Sequence, residues 1–507
     1  MLPTDDCYEL IKSLQPAEKR YFKLFASQHG AKDAKQYIKL FDAIDAMPPN
    51  TGYDELKLKR RLKDAVIIRN LPTMKNYLIQ LVMKALRNFY SENSIESKLY
   101  ELLQNEKILK EKRLNDLRKK TLKKAKEMAY EYEKFNLLLE IIYREYDLNR
   151  EMNQKDLKRL HIDAVKEERN LLDLLENEFD YREMGDFLFI QQRTESYIRD
   201  PKFLESLERL AHSELLTGNK QPTTFRSKLH YYRSLSLLAK FRKDEERSWE
   251  YSKMVLQLYR ENRHMLDSNL TNYKMALNNY LGSCHRLQKY NEFENILNEM
   301  KSLPSLSFDD EGEVFQNSEF YKLLYFLNTK QIDRAKEMIV EIENGLNLYK
   351  KKINDARVIA FYYNFAITFF MAEDFNKASN YCAQIIAFKT PVRNDIRYTI
   401  RLLDMICHFE LGNTLYLSSL IRNNKRYLQK DERYFQFEKK ICESLIKLTK
   451  STDKSQEIDH LLKLKDKILE LKMSSENNIL TDELLIWIES RKSNRSINEL
   501  INLQSGK

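Results

Sequence analysis

Glycine and proline are scarce in this sequence, with 9 of each among 507 residues, whereas an average globular chain carries roughly 12% of the two combined. Folds built from strands and tight turns use these residues at their corners, so the scarcity argues against an all-β or α/β fold. Charged residues make up 32% of the chain and apolar residues 42%. That balance is too apolar for a disordered chain and too charged for a membrane protein. We therefore expect a folded, all-α protein.

The length predicts more than one compact core, because single cores stop growing at roughly 250–300 residues. Composition and loop signals divide the chain into four predicted segments. They are a small, basic, helical N-terminal domain (1–93), long basic amphipathic helices (94–216), a repeat segment (217–448) and a helical C-terminal cap (449–507).

Cysteine usage predicts a reducing environment. The five cysteines are scattered and none is in CxxC spacing, so a disulfide framework is not expected. The first residues lack the basic and apolar regions of a signal peptide. The most apolar stretch, residues 358–372, is too short to span a membrane. We predict a cytoplasmic protein without membrane association.

The second half of the chain repeats. Apolar helical segments alternate with short polar turns, and each turn is followed by a second helical segment. Markers in these turns are spaced 45, 42, 43 and 39 residues apart; they are Glu245, Tyr290, Ile332, Phe375 and Thr414. A period near 40 built from helix pairs is typical of an α-solenoid.

One copy of the repeat resembles the tetratricopeptide repeat. That motif has an aromatic residue, a large-small pair three residues later, an aromatic residue in the turn and an alanine after it, which Tyr362, Phe365-Ala366, Phe375 and Ala378 match. Other copies match in part, and the whole chain resembles bacterial tetratricopeptide-like proteins of unassigned function. The resemblance implies a right-handed α-solenoid whose first helices line a concave, peptide-binding groove.

Transferring that geometry copy by copy predicts a set of polar groove residues. They are Arg233, Lys240, Asn279, Arg286 and Asn364. Asparagine amides can pair with the backbone of a bound peptide, and arginine can bind a carboxylate through two hydrogen bonds. The alternative is that these positions form an ordinary solvated face.

Catalytic and metal-binding motifs are absent from the sequence: there is no glycine-rich phosphate loop, HExxH, CxxC or GxSxG. Two Cys-His pairs, Cys284-His285 and Cys407-His408, stand out. Adjacent residues on a helix point about 100° apart, which suits joint metal binding poorly. We interpret both pairs as packing positions and predict a non-enzymatic protein without a metal or cofactor.

Positive charge is concentrated in residues 1–134, which hold 28 Lys and Arg against 19 Asp and Glu. A predicted helix over 54–69 would bury Leu58, Leu62, Ala65 and Val66. Its exposed cations would be Lys57, Lys59, Arg60, Arg61 and Lys63. Short helices with an exposed basic one resemble the helix-turn-helix head of peptide-sensing regulators. No glycine-containing turn joins two short helices here, and nearby acids dilute the charge.

The segment 97–135 is predicted to be one long basic helix or a helix pair. Its apolar stripe includes Leu114 and Leu117, and the cations of residues 107–126 are expected on a solvated face. Together these patterns favour a protein- or peptide-binding scaffold. The alternative is a nucleic-acid-binding regulator, with nucleic acid bound through residues 1–134, and a third reading is a purely structural assembly subunit.

Overall fold

The computed structural model describes residues 5–29, 34–48, 53–62, 64–91, 94–150, 153–193, 201–218, 220–305, 307–389, 392–428, 432–473 and 480–504. Throughout these ranges the regular structure is helical and contains no strand, which confirms the all-α prediction. None of the described helices is both long enough and apolar enough to cross a bilayer.

The chain divides into two compact units, residues 1–283 and 284–507. The helices that begin in the first unit are α1 (Asp6–Ser13), α2 (Pro16–His29), α3 (Ala34–Asp45), α4 (Glu55–Leu62), α5 (Ala65–Arg69), α6 (Leu71–Ser91), α7 (Ile95–Glu111), α8 (Asn115–Glu131), α9 (Phe135–Leu148), α10 (Gln154–Arg193), α11 (Pro201–Ala211), α12 (Glu214–Thr217), α13 (Phe225–Phe241), α14 (Glu245–Glu261) and α15 (Leu266–Leu287).

The boundary between the units lies within α15. The helices of the second unit are α16 (Phe293–Ser302), α17 (Phe308–Asn328), α18 (Ile332–Leu348), α19 (Asp355–Met371), α20 (Phe375–Ala387), α21 (Asn394–Glu410), α22 (Thr414–Leu428), α23 (Glu432–Leu448), α24 (Lys454–Met473), α25 (Thr481–Ser493) and α26 (Ile497–Gln504).

Helices α1–α6 surround a core of their own, which includes the fully buried Phe22 and Phe41 with ring centroids 4.5 Å apart. The predicted single helix over 54–69 is wrong. The Asp64 carboxylate caps a new helix by accepting hydrogen bonds from the Val66 and Ile67 backbone N–H groups. In this second helix Ile67 is buried, whereas Val66 is 55% exposed.

The segment 97–135 is two helices, α7 and α8, joined by a tight turn. The predicted apolar stripe is wrong at Leu114 and Leu117, which are 45% and 50% exposed. Arg118 takes the buried position instead, where it pairs with the buried carboxylate of Glu106. Residues 94–171 share a second apolar core, to which α10 contributes Leu171.

One turn recurs between helices. At each predicted repeat turn a residue adopts the left-handed conformation, with φ between 54° and 71°; these residues are Lys243, Gln288, Lys330, Glu373 and Gly412. The next backbone N–H donates to the carbonyl five residues earlier, as from Asp374 to Phe369 at 2.9 Å, which satisfies a carbonyl at the helix end. Arg113 and Glu133 make the same turn at the ends of α7 and α8.

Helices of the second unit pack in a regular order. Consecutive helices contact one another from α16 to α26, and α17 also contacts α19, α19 contacts α21, and α21 contacts α23. One apolar core, from Leu323 to Ile501, runs through the unit. The first helices of the predicted pairs that begin with α17, α19 and α21 therefore lie against one another in order.

Two glycines bring α17 and α18 together. The ring of Phe315 occupies the position that a Cβ on Gly345 would take, and a Cβ on Gly312 would lie 3.1 Å from the Tyr349 ring. The Phe315 and Tyr349 rings also contact each other, with centroids 5.4 Å apart. Gly345 of α18 thus leaves space for the Phe315 ring of α17. Gly312 of α17 leaves space for the ring of Tyr349, the residue that follows α18.

The C-terminal helices α25 and α26 form hydrogen bonds with residues much earlier in the second unit. The Trp487 indole N–H donates to Glu410 Oε1 at 2.7 Å, and Arg491 contacts Glu410 Oε2 at 3.3 Å. The Ile497 backbone N–H donates to Glu373 Oε1 at 3.2 Å. These bonds connect α25 and α26 to the turn residue after α19 and to the end of α21.

Candidate functional site

A cavity of about 340 Å³ lies in the first unit between α10, α13, α14 and α15. Three of the predicted groove residues, Arg233, Lys240 and Asn279, line it together. They come from α13 and α15, and sequence reasoning assigned both helices to the first position of their pairs. The structure therefore brings these three side chains to one place.

Gly185 of α10 lies beside α13 at this cavity. A Cβ on Gly185 would lie 3.4 Å from Ser234 Oγ and 3.5 Å from His230 Nδ1. α10 therefore lies close to these two side chains of α13 at Gly185. Gly185 was noticeable in the sequence as an isolated glycine inside a helical pattern, but His230 and Ser234 carried no signal of their own.

Arg233 is the main charged group of the wall. Its Nη2 donates to the Asn272 backbone carbonyl at 3.0 Å, and its Nε is buried without a hydrogen-bond partner in the described part of the protein. Burial lowers the pKa of the Arg233 guanidinium. The nearby Tyr259 hydroxyl is also buried and unpartnered, and burial raises the pKa of Tyr259 to about 12.

His230 contributes a neutral imidazole. Burial, with a smaller effect of the positive charge of Arg233, lowers the pKa of His230 to about 4. At neutral pH the ring therefore provides one N–H donor and one acceptor. Asp186 is the acidic residue among the side chains that line the cavity, and its charge opposes the lowering of the His230 pKa.

A second cavity, of about 390 Å³, lies within the second unit and is lined mainly by α17 and α19. Asn364 is on its wall, but its side chain is only 8% exposed and its Nδ2 donates to the Ala360 carbonyl at 2.7 Å. Glu483 of α25 also lines this cavity. Its Oε2 is buried without a partner in the described residues, and burial raises the pKa of Glu483.

Arg286, the remaining predicted groove residue, is at the end of α15 in the second unit. Its positive charge is close enough to Tyr321 to oppose the rise in the pKa of that phenol, which burial causes. It also adds to the effect of burial in lowering the pKa of His285. The structure thus places Arg286 near Tyr321 of α17, and Arg286 is not among the residues that line either of the two cavities.

The predicted nucleic-acid residues on α4 are largely engaged with neighbours. Lys57 lies 3.5 Å from Asp54 and Lys59 lies 2.6 Å from Glu55, and Arg61 donates to the Ala46 carbonyl at 2.9 Å. Arg60 is exposed. Lys63 lies outside the described residues.

The basic run at 107–126 is partly neutralised. Lys110 and Arg118 both contact Asp147, and Lys126 contacts Glu145 and Glu167 at 2.7 Å and 2.9 Å. These cations bind α9 and α10 to α7 and α8. The expectation of a solvated basic face is therefore wrong for Arg118.

The two Cys-His pairs occupy packing positions, with Cys284 and Cys407 at most 1% exposed. His408 Nε2 lies 3.2 Å from Ser379 Oγ, and His285 Nδ1 lies 3.2 Å from Asn328 Nδ2. Within the described ranges, no group of three or more His, Cys, Asp and Glu side chains is arranged to hold a metal ion.

Comparisons of the chain with protein-family models, with curated proteins and with solved structures found no match.

Proposed function

We propose that this chain is a non-enzymatic, cytoplasmic scaffold that binds a protein or peptide along the first helices of a right-handed α-solenoid of tetratricopeptide-like pairs. One observation carries the proposal: helices assigned to the first position of successive pairs line both cavities. In the first unit these are α13 and α15, which share the lining with α10 and α14, and in the second unit they are mainly α17 and α19. The recurring left-handed turn and the contacts of α17 with α19 and of α19 with α21 support the solenoid arrangement.

The second cavity offers the chemistry of a peptide site. Aromatic and aliphatic side chains such as Phe320, Tyr363 and Ile367 form most of its wall, and Asn328, Lys330 and Asn364 provide polar groups. Such a mixture of an apolar surface with a few placed polar groups is typical of ligand sites. An extended peptide would bury apolar side chains against α17 and α19 and would hydrogen-bond to the polar groups.

The test is selection of binding peptides from a random peptide library on the full chain, followed by titration of the selected peptides. Asn364→Ala and Arg286→Ala should each weaken binding about tenfold, since each removes a hydrogen-bonding group. Arg334→Ala is the matched control, because Arg334 is on α18, a second helix, where it bonds to Gln331 at 2.9 Å. Unchanged binding in both groove variants would contradict the assignment of the groove.

The alternative, a nucleic-acid-binding regulator, predicts a different result. Phosphate contacts make affinity fall steeply with salt concentration, so affinity capture from the cytosol with and without nuclease separates the two functions. Lys57→Glu with Arg60→Glu should abolish nucleic-acid binding if α4 contacts phosphates. The ion pairs of Lys57 and Lys59 with acids of their own segment favour the scaffold.

A further inference from the structure

Two residues that line the cavity in the first unit have buried polar atoms that no group in the described part of the protein satisfies. Arg233 Nε and Ser234 Oγ are both buried and have no hydrogen-bond partner among the described residues, and the residue Ser234 is fully buried. An unsatisfied buried donor is costly, because it has lost its hydrogen bonds to water without gaining others. Native proteins rarely leave such atoms unpaired, since a ligand or an ordered water normally satisfies them.

The charges on the cavity wall favour an anion. Arg233 and Lys240 are the basic residues among those that line it, and Asp186 is the acidic one. The guanidinium of Arg233 stays protonated at neutral pH even where burial disfavours the charge. An anionic group near Arg233 Nε would offset that burial and would form a charge-assisted hydrogen bond.

Part of the wall is apolar and limits the kind of ligand that fits. Leu237, Val255, Met275 and Ala276 also line the cavity. Its volume, about 340 Å³, is at the low end of the roughly 300–1,000 Å³ range of small-molecule sites. A bare inorganic ion would leave most of this apolar surface uncovered.

We propose that this cavity binds a small organic anion with an apolar body, namely an alkyl or aryl carboxylate or phosphate ester. The anionic group accepts hydrogen bonds from Arg233 Nε and Ser234 Oγ, and the apolar body packs against Val255 and Met275. This site does not depend on the peptide groove: a chain that binds no peptide would still hold the anion, and Asn364→Ala would leave its affinity unchanged.

The test is calorimetric titration of the full chain with four probes: hexanoate, phenyl phosphate, 1-hexanol and inorganic phosphate. At least one of the two organic anions should bind at least about tenfold more tightly than 1-hexanol and inorganic phosphate. An organic anion has both a charged group for the polar atoms of the wall and an apolar body for its apolar residues, whereas each of the other two probes has only one of these. Tighter binding of hexanoate identifies a carboxylate site, and tighter binding of phenyl phosphate identifies a phosphate ester site. No binding of either organic anion would overturn the proposal, as would equal affinity for inorganic phosphate.

Three variants locate the binding in the cavity. Arg233→Met should lower the affinity for the organic anion at least about tenfold, and Ser234→Ala should lower it about threefold, since each removes one donor. Lys243→Met is the control: it removes an exposed cation just beyond the end of the same helix and should have no effect. Ser234→Ala is a small change that keeps the test valid if Arg233→Met does not fold. Unchanged affinity in Ser234→Ala and in any folded Arg233→Met protein would overturn the proposal.

Discussion

Arg118 of α8 and Glu106 of α7 form an ion pair in which the two side chains are only 5% and 2% exposed. Glu106 also accepts a hydrogen bond from Arg144 at 2.5 Å, and Arg118 donates to Asp147 at 2.9 Å. Both charges are therefore surrounded by partners of opposite sign in the interior of the first unit. This pair explains why Leu117, the residue next to Arg118, lies on the exposed side of α8.

Removing one partner of this pair should destabilise the first unit strongly. Glu106→Gln removes the carboxylate that Arg118 and Arg144 share, and it leaves the buried guanidinium of Arg118 with Asp147 as its acidic partner. Breaking a buried ion pair in this way costs roughly 3–5 kcal/mol. The measurement is urea unfolding followed by the fluorescence of Trp249 of α14 in a Trp487→Phe background, because the chain has two tryptophans. Glu127→Gln is the control, since the side chains of Glu127 and its partner Lys123 are more than 60% exposed, and its effect should be below about 0.5 kcal/mol.

His230 should make the stability of the first unit depend on pH. Its pKa falls from 6.5 to about 4 on folding, because burial and Arg233, Arg182 and Arg226 oppose its protonation while Asp186 favours it. A base whose pKa is lowered on folding contributes stability in full above its unfolded pKa. That stability is lost as the pH falls from about 6.5 to about 4, and it amounts to roughly 3 kcal/mol. The free energy of unfolding at pH 7 and pH 4.5 should differ less in His230→Gln than in the wild type. Parallel pH curves for the two proteins would contradict the assignment.

Two helical glycines should respond in opposite ways to the same substitution. Gly345→Ala should lower the stability of the second unit by about 1–2 kcal/mol, because the steric conflict with Phe315 exceeds the gain in helix propensity. Gly185→Ala should raise the stability of the first unit by up to about 1 kcal/mol, since its Cβ would lie 3.4 Å from the closest atom, an ordinary contact. Unfolding monitored by Trp487 and by Trp249, respectively, measures each change. Phe315→Leu should reduce the effect of Gly345→Ala, and additive effects would argue against the overlap.

The left-handed turns provide a fourth prediction. Lys243 has φ 59°, a conformation that disfavours a residue with a Cβ by roughly 1–2 kcal/mol. Lys243→Gly should therefore stabilise the first unit by about 0.5–1 kcal/mol after the loss of backbone entropy. Gly412→Ala should destabilise the second unit by about 1 kcal/mol through the backbone alone, because its Cβ would meet no atom within 4 Å. Urea unfolding measures both, and the same sign for both would be inconsistent with a conformational cause.

The positions of the repeat turns could be predicted from the sequence because each has polar residues between two apolar helical segments. Their conformation could not, since only Gly412 among the five left-handed residues is a glycine. The other turns are instead specified by the hydrogen bond to the end of the preceding helix. At Asp244 and Asp374 a side chain also caps the next helix, a signal that is readable in the sequence.

The errors in the sequence-based burial predictions arise because helical periodicity was the only criterion applied. Helical periodicity placed Val66 inside because it extended one helix through Asp64, which instead caps a new one. It placed Leu117 inside because it takes no account of an ion pair between helices. The cavity residues differ in the same way. Repeat geometry predicts Arg233, Lys240 and Asn279, whereas the role of Ser234 follows from the packing of α10 against α13, which the sequence does not give.

The hydrogen bonds from α25 and α26 to Glu410 and Glu373 determine how the second unit loses its structure. Stacked repeats that contact only their neighbours can open one at a time from an end. Here the Ile497 N–H and Glu373 are 124 positions apart in the chain, so opening the pair formed by α19 and α20 also breaks contacts of the last helix. Because this bond closes so long a loop, we expect the helices between Glu373 and Ile497 to open as one cooperative unit. Amide protons of α20 and α25 should then exchange with solvent in a single event rather than in sequence.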